Sequence, residues 1–333
     1  MAEYEKLTRQ MVETFIDLED DEFSLERLRT KHNIDPSSST FKMAISNMKE
    51  KRLIKWLGRG IYRKVKPVEP VKWWDGDEVE PLNFRFPRSY GDGSEFGIEE
   101  CVEVFAGDMI LVTGDTNFGK TAIALSIMGE NLNLFPNTLL VGSEYTAGDG
   151  KISPKFKRRM RRMNWVEWMV DGKPRFTLLP VGSDYEDYIE SDWQNIIDWI
   201  SLPGEYYLID RVMKAIKDRV GNGVAVAVLQ KNKGQEFAEG GQRSERYADV
   251  VLKIDPYGEK ESILTIGKVK SPKGKSTGRT WAFSIVDYGA NLYNIREVVR
   301  CPKCWGKGYI RSGQNNIKCS GCQGKKFVDN IEF

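Results

Sequence analysis

One motif of eight residues constrains this chain more than any other feature of its sequence. Gly114-Asp-Thr-Asn-Phe-Gly-Lys-Thr121 fits the pattern G-x-x-x-x-G-K-[ST]. An apolar run from Met109 precedes it, and a helix-forming run from Ala122 follows it. A strand, a glycine-rich turn and a helix in this order predict a loop whose backbone N–H groups surround phosphate groups. An ordinary glycine-rich turn is the alternative.

A loop of this kind predicts a bound nucleotide with its metal ion, ATP and Mg²⁺. The Lys120 ammonium is expected to neutralise the β- and γ-phosphate oxygens, and the Thr121 hydroxyl is expected to bind Mg²⁺. The residues expected to contact the nucleotide are Gly114, Asp115, Thr116, Asn117, Phe118, Gly119, Lys120 and Thr121.

The composition is that of a folded protein in water. Of the 333 residues, 40% are hydrophobic and 29% are charged, which excludes disordered and fibrous classes. The sequence lacks an apolar run of about 20 residues, the length that spans a bilayer. Its start, MAEYEKLTRQ, lacks the basic-then-apolar order of a signal peptide. We therefore expect a cytoplasmic protein that does not enter a membrane.

Short β-branched runs alternate with helical stretches from Gly107 onwards. This alternation predicts an α/β fold whose sheet is buried on both faces. The predicted strands are residues 109–113, 138–143, 206–210, 224–229, 250–254 and 263–266.

Three polar residues follow predicted strands, where open α/β sheets bind ligands. Asp210 is predicted to be the acidic ligand of Mg²⁺, with a helix N-cap as the alternative. Glu144 is predicted to orient the attacking water, although a surface carboxylate would show the same pattern. Gln230 is predicted to sense the terminal phosphate, with an ordinary polar strand end as the alternative. The catalytic candidates are thus Lys120, Glu144 and Gln230.

These motifs together resemble a known family. The phosphate loop, Ser143-Glu144, Leu208-Ile209-Asp210 and the strand ending in Gln230 resemble the RecA-fold core of DnaB-type replicative helicases and their KaiC-like relatives. The resemblance covers roughly residues 97–290. It implies a RecA-like ATPase in which Glu144 polarises water and Gln230 relays the nucleotide state to DNA-binding loops. A phage or mobile element is the expected source.

The resemblance also implies a role for the pair Lys268-Val-Lys270. In the family, a basic pair after a late strand reaches the nucleotide site of the neighbouring subunit, so Lys268 and Lys270 are trans-acting candidates. The second residue is usually arginine there, and a lysine lacks the planar fork of a guanidinium. DnaB-type helicases carry a helical N-terminal collar, and this chain has a winged helix-turn-helix pattern in its place.

Residues 4–66 predict three helices and a hairpin with glycines at its turn. This is a winged helix-turn-helix pattern, and Lys55, Arg59 and Arg63 on its hairpin are candidates for DNA contact. Docking of a protein partner is the alternative. The next segment, 67–96, contains four prolines and an acidic patch, which predicts a linker.

Two further basic segments are candidates for single-stranded DNA at the ATPase core. One is the glycine-rich loop after Gln230, and the other is a cluster of lysines and arginines, without an acidic residue, within residues 155–162. An ordinary surface loop and a solvated helix face are the alternatives. The candidate residues are Lys231, Lys233, Arg243, Lys157, Arg158 and Arg159.

Four of the five cysteines form two Cys-x-x-Cys pairs, Cys301/Cys304 and Cys319/Cys322, with 14 residues between the pairs. In a cytosolic protein this spacing favours Zn²⁺, with disulfides or a redox pair as the alternatives. The pairs resemble two of the CxxCxGxG repeats of the DnaJ cysteine-rich domain, which implies one structural zinc. Cys101 is predicted to be a buried apolar residue.

We therefore expect an α/β RecA-like P-loop NTPase core with an N-terminal winged helix-turn-helix and a C-terminal zinc ribbon. The expected bounds are 1–66 for the winged helix, 67–96 for the linker, 97–296 for the core and 297–333 for the ribbon. The expected function is a Mg²⁺-dependent ATPase acting on DNA, a DnaB-like helicase or translocase in replication or recombination. A homo-oligomer is expected, with a hexamer as one candidate. The alternatives are a non-unwinding recombinase or loader and a nucleotide-switched regulator that binds proteins.

Overall fold

The computed structural model describes residues 7–66, 69–70, 74, 76, 78–147, 150–232, 234–312 and 315–330. Contacts divide the chain into two compact units, residues 1–78 and residues 79–333. Within the described residues, no helix has the length and apolar character needed to cross a membrane.

The first unit contains three short helices and a small antiparallel sheet in the order β1-β3-β2. Each helix begins at a hydroxyl side chain, Thr8, Ser24 or Ser38, which accepts a hydrogen bond from a backbone N–H in the first turn. The predicted helices and hairpin are present, and β1 is an additional strand. The elements are α1 (Arg9–Asp17), β1 (Glu22–Ser24), α2 (Leu25–Lys31), α3 (Ser39–Glu50), β2 (Ile54–Gly58) and β3 (Ile61–Lys64).

The second unit is built on one ten-stranded sheet. Its first half alternates strands with helices. These elements are β4 (Met109–Gly114), α4 (Lys120–Glu130), β5 (Thr138–Val141), α5 (Pro154–Arg162), β6 (Met169–Val170), β7 (Lys173–Pro174), β8 (Thr177–Leu179), β9 (Gln194–Ile200), α6 (Ile209–Arg219) and β10 (Val224–Gln230). The second half consists of strands: β11 (Val250–Tyr257), β12 (Glu261–Val269), β13 (Thr280–Val286), β14 (Asn291–Arg300), β15 (Tyr309–Ser312), β16 (Asn315–Lys318) and β17 (Phe327–Asp329).

The strand order in the large sheet is β17-β14-β13-β12-β11-β4-β10-β9-β5-β8. Along the sheet, β8, β5, β9, β10, β4 and β11 pair in parallel with their neighbours. From β11 onwards, β12, β13, β14 and β17 each pair antiparallel with the strand before them in the sheet. Strand β10 lies between β4, which ends in the phosphate loop, and β9. The carboxyl ends of the parallel strands therefore meet at one edge of the sheet, where ligands bind in open α/β folds.

Helices cover both faces of the parallel half, which explains why its strands are continuously apolar. Alternate residues of β4 point to opposite faces, with Ile110 and Val112 on the side of α4 and Met109 and Leu111 on the side of α6. All six residues of β4 are buried. The helices α4 and α6 thus lie on opposite faces of the sheet.

Five of the six predicted strand runs correspond to strands, although the run 138–143 extends two residues beyond β5, and the prediction for residues 206–210 is wrong. Tyr206–Leu208 is a 3-10 turn, and Ile209 begins α6. Tyr207 is 64% exposed, so this run cannot be the buried central strand that the sequence suggested. The apolar residues from Ile209 onwards follow helical spacing and face the sheet.

Residues 79–96, which the sequence assigned to a linker, pack within the second unit. Phe84, Phe86 and Phe96 are buried in the same core cluster as α4. The Asn131 side chain at the end of α4 accepts a hydrogen bond from Arg85 N at 2.9 Å and donates one to Arg85 O at 2.8 Å. Three buried aromatic rings fix this segment to the core despite its prolines.

The cysteine segment is joined to the sheet. Its hairpin β15-β16 stands apart, but β17 pairs with β14, so that Val299 lies opposite Val328. Tyr257 of β11 and Phe327 of β17 belong to one small apolar cluster. The segment therefore continues the edge of the large sheet.

Candidate functional site

The phosphate loop joins β4 to α4 through two glycines that tolerate no side chain. A Cβ atom on Gly114 would lie 2.2 Å from the Ile254 carbonyl oxygen. Gly119 has φ of 103° and would place a Cβ 2.3 Å from Ile285 Cδ1, a conformation that favours glycine. Lys120 Nζ donates to the Asp115 carbonyl oxygen at 2.9 Å. The loop is thus curled around a space at the amino end of α4.

A cleft of about 540 Å³ opens beside this loop at the carboxyl edge of the sheet. It brings the loop together with side chains from five other segments of the chain. The residues with polar side chains that line it are Thr116, Asn117, Lys120, Thr121, Glu144, Tyr145, Ser153, Lys155, Arg159, Asp198, Trp199, Gln230 and Tyr288.

Asp198, on β9, is the acidic residue of this cleft. It is 4% exposed, and its Oδ2 accepts a hydrogen bond from the Tyr145 hydroxyl. The Thr121 hydroxyl also bonds to this carboxylate, while Oδ1 has no hydrogen-bond partner among the described residues. Burial raises the pKa of Asp198, and the hydrogen bonds from Tyr145 and Thr121 oppose that shift.

Asp210 was predicted to be the acidic ligand of Mg²⁺, and the structure contradicts this prediction. Asp210 lies in the first turn of α6, on the sheet face opposite α4, and its Oδ2 accepts from Arg246 at 2.8 Å. It is not among the residues that line the cleft. The signal that was missed is the apolar pair Ile196 and Ile197 directly before Asp198.

Glu144 and Gln230 both lie in the cleft, as the sequence predicted. Glu144 follows β5 in a short 3-10 turn, and its Oε1 accepts a hydrogen bond from Trp199 Nε1 at 3.2 Å. Gln230 ends β10 opposite Gly114, and the next residue donates its N–H to the Gly114 carbonyl at 2.9 Å. The amide therefore lies directly beside the phosphate loop.

The basic helix α5 contributes Lys155 and Arg159 to the same cleft. Arg159 Nε donates to the Tyr288 carbonyl oxygen at 3.4 Å, and the Arg159 charge opposes the burial that raises the pKa of Asp198. Arg158 and Arg162 lie over the Tyr288 ring, at 5.2 and 4.7 Å from its centre. Part of the cluster predicted to bind DNA thus faces the nucleotide cleft.

Lys268 and Lys270 lie at the opposite end of the strands from the cleft. Val269 pairs with Val250, which pairs with Ile110 near the start of β4 rather than with its phosphate-loop end. Lys268 Nζ donates to two backbone carbonyls, the nearer at 2.7 Å, and Lys270 Nζ pairs with Asp249 at 2.8 Å. Neither side chain reaches the cleft of its own chain.

The other predicted DNA contacts have different environments. Lys231 is 6% exposed and pairs with Asp255, so its ammonium group is not free to bind a phosphate, contrary to the sequence prediction. Lys233 lies outside the described residues. The remaining candidates are exposed: Arg243, Lys157, Arg158, Lys55, Arg59 and Arg63.

The cleft fits a nucleotide with Mg²⁺. The unpartnered Oδ1 of Asp198 beside the Thr121 hydroxyl is the pair of hard oxygen donors that Mg²⁺ prefers. Burial lowers the pKa of Lys120, and the neighbouring carboxylates of Asp198 and Asp115 oppose this shift. An ammonium group in this position complements phosphate oxygens.

The four paired cysteines form a second, separate site. Their Sγ atoms all lie within 4.8 Å of one another, and all four residues are buried. The Cys301–Cys319 and Cys304–Cys322 Sγ pairs are 3.9 and 3.6 Å apart. A tetrahedral Zn²⁺ with Zn–S bonds of ~2.3 Å needs sulfurs about 3.8 Å apart. The cluster therefore fits one Zn²⁺, as predicted, and Cys101 lies apart from it, buried.

Comparisons with known proteins find similarity among solved structures. No protein-family model matches the chain, and no curated protein matches it. Among solved structures, the chain is similar to a KaiC-like protein from the hyperthermophilic archaeon Pyrococcus horikoshii OT3, with a TM-score of 0.46 and 15% sequence identity. The match covers 66% of this chain and 99% of that chain.

The central sheet, the phosphate loop and the position of Asp198 together define the fold class. In the strand order β11-β4-β10-β9-β5, the strand β10 lies between the phosphate-loop strand β4 and the Asp198 strand β9. Gln230 ends β10 and Glu144 follows β5, so both lie beside β9 at the carboxyl ends of the strands. The predicted class is thereby confirmed, and the chain has a mixed α/β, RecA-like P-loop core with a cysteine cluster that fits a zinc ribbon.

Proposed function

We propose that this chain is a Mg²⁺-dependent ATPase that acts on DNA, in the manner of a DnaB-like helicase or translocase in replication or recombination. The observation that carries the ATPase part is the single cleft that unites Lys120, Thr121, Asp198, Glu144 and Gln230. These residues come from the phosphate-loop motif and from the carboxyl ends of the neighbouring parallel strands, where open α/β sheets bind ligands.

The phosphate loop is the proposed site of the ATP phosphates, and two oxygen donors beside it are the proposed ligands of Mg²⁺. Lys120 and the amino end of α4 would face the phosphates, and Thr121 and Asp198 would hold Mg²⁺. When bound, Mg²⁺ neutralises charge on the phosphate oxygens. Because Asp198 is buried, its contact with Mg²⁺ would be shielded from water and thereby strengthened.

Glu144 is the proposed base. Its carboxylate lines the cleft and accepts a hydrogen bond from Trp199, which fixes the orientation of the oxygen that is left to bind the attacking water. Gln230 connects the phosphate loop to the segment that follows β10. A change at the terminal phosphate is thereby relayed to a loop that carries Arg243 on its exposed side.

Arg159 supplies a guanidinium to the cleft of its own chain. A positive charge near the terminal phosphate stabilises the charge that develops during phosphoryl transfer. Lys268 and Lys270, at the opposite end of the strands, would serve only a neighbouring copy in a homo-oligomer such as a hexamer. Basal hydrolysis therefore depends on Arg159, and assembly adds the two lysines.

Exposed basic surfaces support the DNA part of the proposal. The hairpin β2-β3 of the first unit, which we interpret as a winged helix-turn-helix, presents Lys55 opposite Arg63, with Arg59 near its turn and Trp56 58% exposed. On the second unit, Lys157 and Arg158 are exposed on α5. Cations with interleaved aromatic rings are suited to the DNA backbone.

The alternative is a non-unwinding ATPase that assembles on DNA or loads another protein. It is favoured by the cis position of Arg159, because a chain that carries its own guanidinium does not need a ring to hydrolyse ATP.

Hydrolysis and strand displacement by the wild type and by Lys120→Ala test the proposal. DNA-stimulated hydrolysis with displacement of an annealed strand, both lost in Lys120→Ala, is expected for the helicase. DNA-stimulated hydrolysis without displacement assigns the loader. Absence of ATP hydrolysis with or without DNA rejects both, and hydrolysis that DNA does not stimulate points to a regulator that binds proteins.

A further inference from the structure

The cysteine segment, residues 301–330, is strongly basic. It contains one acidic residue, Asp329, which already accepts a hydrogen bond from Arg296 at 2.9 Å. Four thiolates around one Zn²⁺ still leave the segment positive, and such a surface attracts polyanions. Its six basic residues are Lys303, Lys307, Arg311, Lys318, Lys325 and Lys326.

Trp305 lies on this segment with 81% of its surface exposed. Among the described residues its indole ring has no stacking or hydrogen-bond partner. Tyr309 is 44% exposed, and both rings line an open concavity of about 440 Å³ together with Lys307 and Arg311. We call these four residues the ribbon surface.

The fold of the segment does not require tryptophan at position 305. Trp305 has φ of 53°, and Gln323, at the equivalent position after the second cysteine pair, has φ of 48°. Glycine follows each of them with φ of 76° and 83°. The two turns share one backbone conformation, and glutamine serves in one of them. Ile310 packs against the cysteines, and Trp305 does not.

We propose that the ribbon surface binds single-stranded nucleic acid. Exposed aromatic rings stack on unpaired bases, and the neighbouring cations follow the phosphates. Neither Lys307 nor Arg311 forms an ion pair with its side chain among the described residues, so both charges are available. A duplex hides its base faces from the two rings, and an acidic protein partner would need the cations but not the free indole.

This inference goes beyond the proposed ATPase and does not depend on hydrolysis. The cleft that contains Lys120 and the concavity beside Trp305 have no lining residue in common. Binding at the ribbon surface is therefore expected without ATP and in a Lys120→Ala chain.

Fluorescence anisotropy of short labelled oligo(dT) and oligo(rU) with the zinc-loaded full chain tests the proposal. Trp305→Gln keeps the turn, because Gln323 has the same conformation, and is expected to weaken binding about 5- to 100-fold. Lys307→Glu is expected to weaken binding and to reduce the salt dependence by roughly one phosphate contact. Comparison of the two oligonucleotides shows whether the sugar contributes.

Two exposed residues outside the ribbon surface serve as controls. Tyr207→Ala removes an aromatic ring that is 64% exposed, and Lys173→Glu reverses an exposed charge. Both variants are expected to bind like the wild type. Duplex of the same sequence is expected to bind more weakly and to be insensitive to Trp305→Gln.

Photocrosslinking separates the ribbon surface from the other basic surfaces of the chain. Iodouracil in the oligonucleotide is expected to crosslink to the peptide that contains Trp305 and Tyr309. Unchanged affinity of Trp305→Gln, together with crosslinks only elsewhere, overturns the inference. Zinc content and circular dichroism of the variant must equal those of the wild type.

Failure of the inference and failure of the proposed function are distinguishable. Basal ATP hydrolysis, measured without nucleic acid, is expected to be unchanged in Trp305→Gln. A chain that hydrolyses ATP but shows no effect of Trp305→Gln on binding retains the proposed function alone. A chain that binds oligonucleotides through Trp305 but does not hydrolyse ATP retains the inference alone.

Discussion

Asp198 and Asp210 carry the same functional group in different environments. Only Asp198 lies beside Thr121 in the nucleotide cleft. Asp198→Asn is expected to reduce ATP turnover by about 100-fold or more, since it removes a charge worth several kcal/mol at the metal. Asp210→Asn is the matched control and is expected to leave the rate unchanged. Phosphate release measures both, and a larger loss in Asp210→Asn would contradict the assignment.

Arg159 differs from its neighbour Arg161 on the same helix because only Arg159 lines the cleft. Arg159→Ala is expected to reduce kcat by roughly 1,000-fold, the scale of an arginine acting on a transferring phosphoryl group. Arg159→Lys should restore little of this rate, because lysine lacks the planar fork. Arg161→Ala is expected to retain the wild-type kcat in the same assay, and an equal loss in both variants would assign the effect to α5 as a whole.

The sequence predicted those residues of the cleft that are close to a recognisable motif. The phosphate loop, Glu144 and Gln230 directly follow strongly apolar runs, so local pattern was sufficient. Asp198 follows only two isoleucines, and β9 begins with the buried polar residues Gln194 and Asn195. The Gln194 side chain is satisfied by Ile127 and Thr138, which are distant in the sequence, and such contacts have no local signature. Asn195 bonds to the nearby backbone of Glu190 and Trp193.

At the scale of elements, tertiary packing decided the two assignments that failed. The run 206–210 looks like a strand in isolation, but the apolar residues after it follow helical spacing, and the helix extends backwards to include Asp210. The prolines of residues 79–96 suggested a linker, while three phenylalanines anchor that segment in the core. Local propensity is a weak predictor where burial competes with it.

The cysteine segment contains four clustered thiols that fit one Zn²⁺, and a bound metal would be expected to order it. Cys319→Ser is expected to reduce the bound zinc from one equivalent per chain to a small fraction, because three thiolates leave the tetrahedral site incomplete. Hydrogen exchange should increase in β15 to β17 and at the paired edge of β14. Cys101→Ser, outside the cluster, is the control and should retain full zinc. Loss of zinc without increased exchange would contradict the structural role of the metal.

At the scale of the whole molecule, each chain carries one complete set of charged groups for its own cleft and a second basic pair at the opposite end of the strands. Lys270 is 47% exposed in its side chain, and its partner Asp249 also binds Lys217. That network holds Lys270 at an exposed surface, away from the cleft of its own chain. In the proposed homo-oligomer, the two sets of charges would therefore respond differently to assembly.

Turnover per chain over a dilution series, with the mass of the species measured in parallel, separates the two contributions. Arg159→Ala is expected to lower turnover at every concentration, since its charge acts within one chain. Lys270→Ala is expected to leave the dilute, monomeric rate unchanged and to remove only the increase that accompanies assembly. That increase should be smaller than the effect of Arg159, because an ammonium makes no bidentate contact with phosphate. A monomer rate that depends on Lys270 would show that this lysine acts within its own chain, and an assembled rate that is indifferent to Arg159 would assign the activating charge to the neighbouring copy.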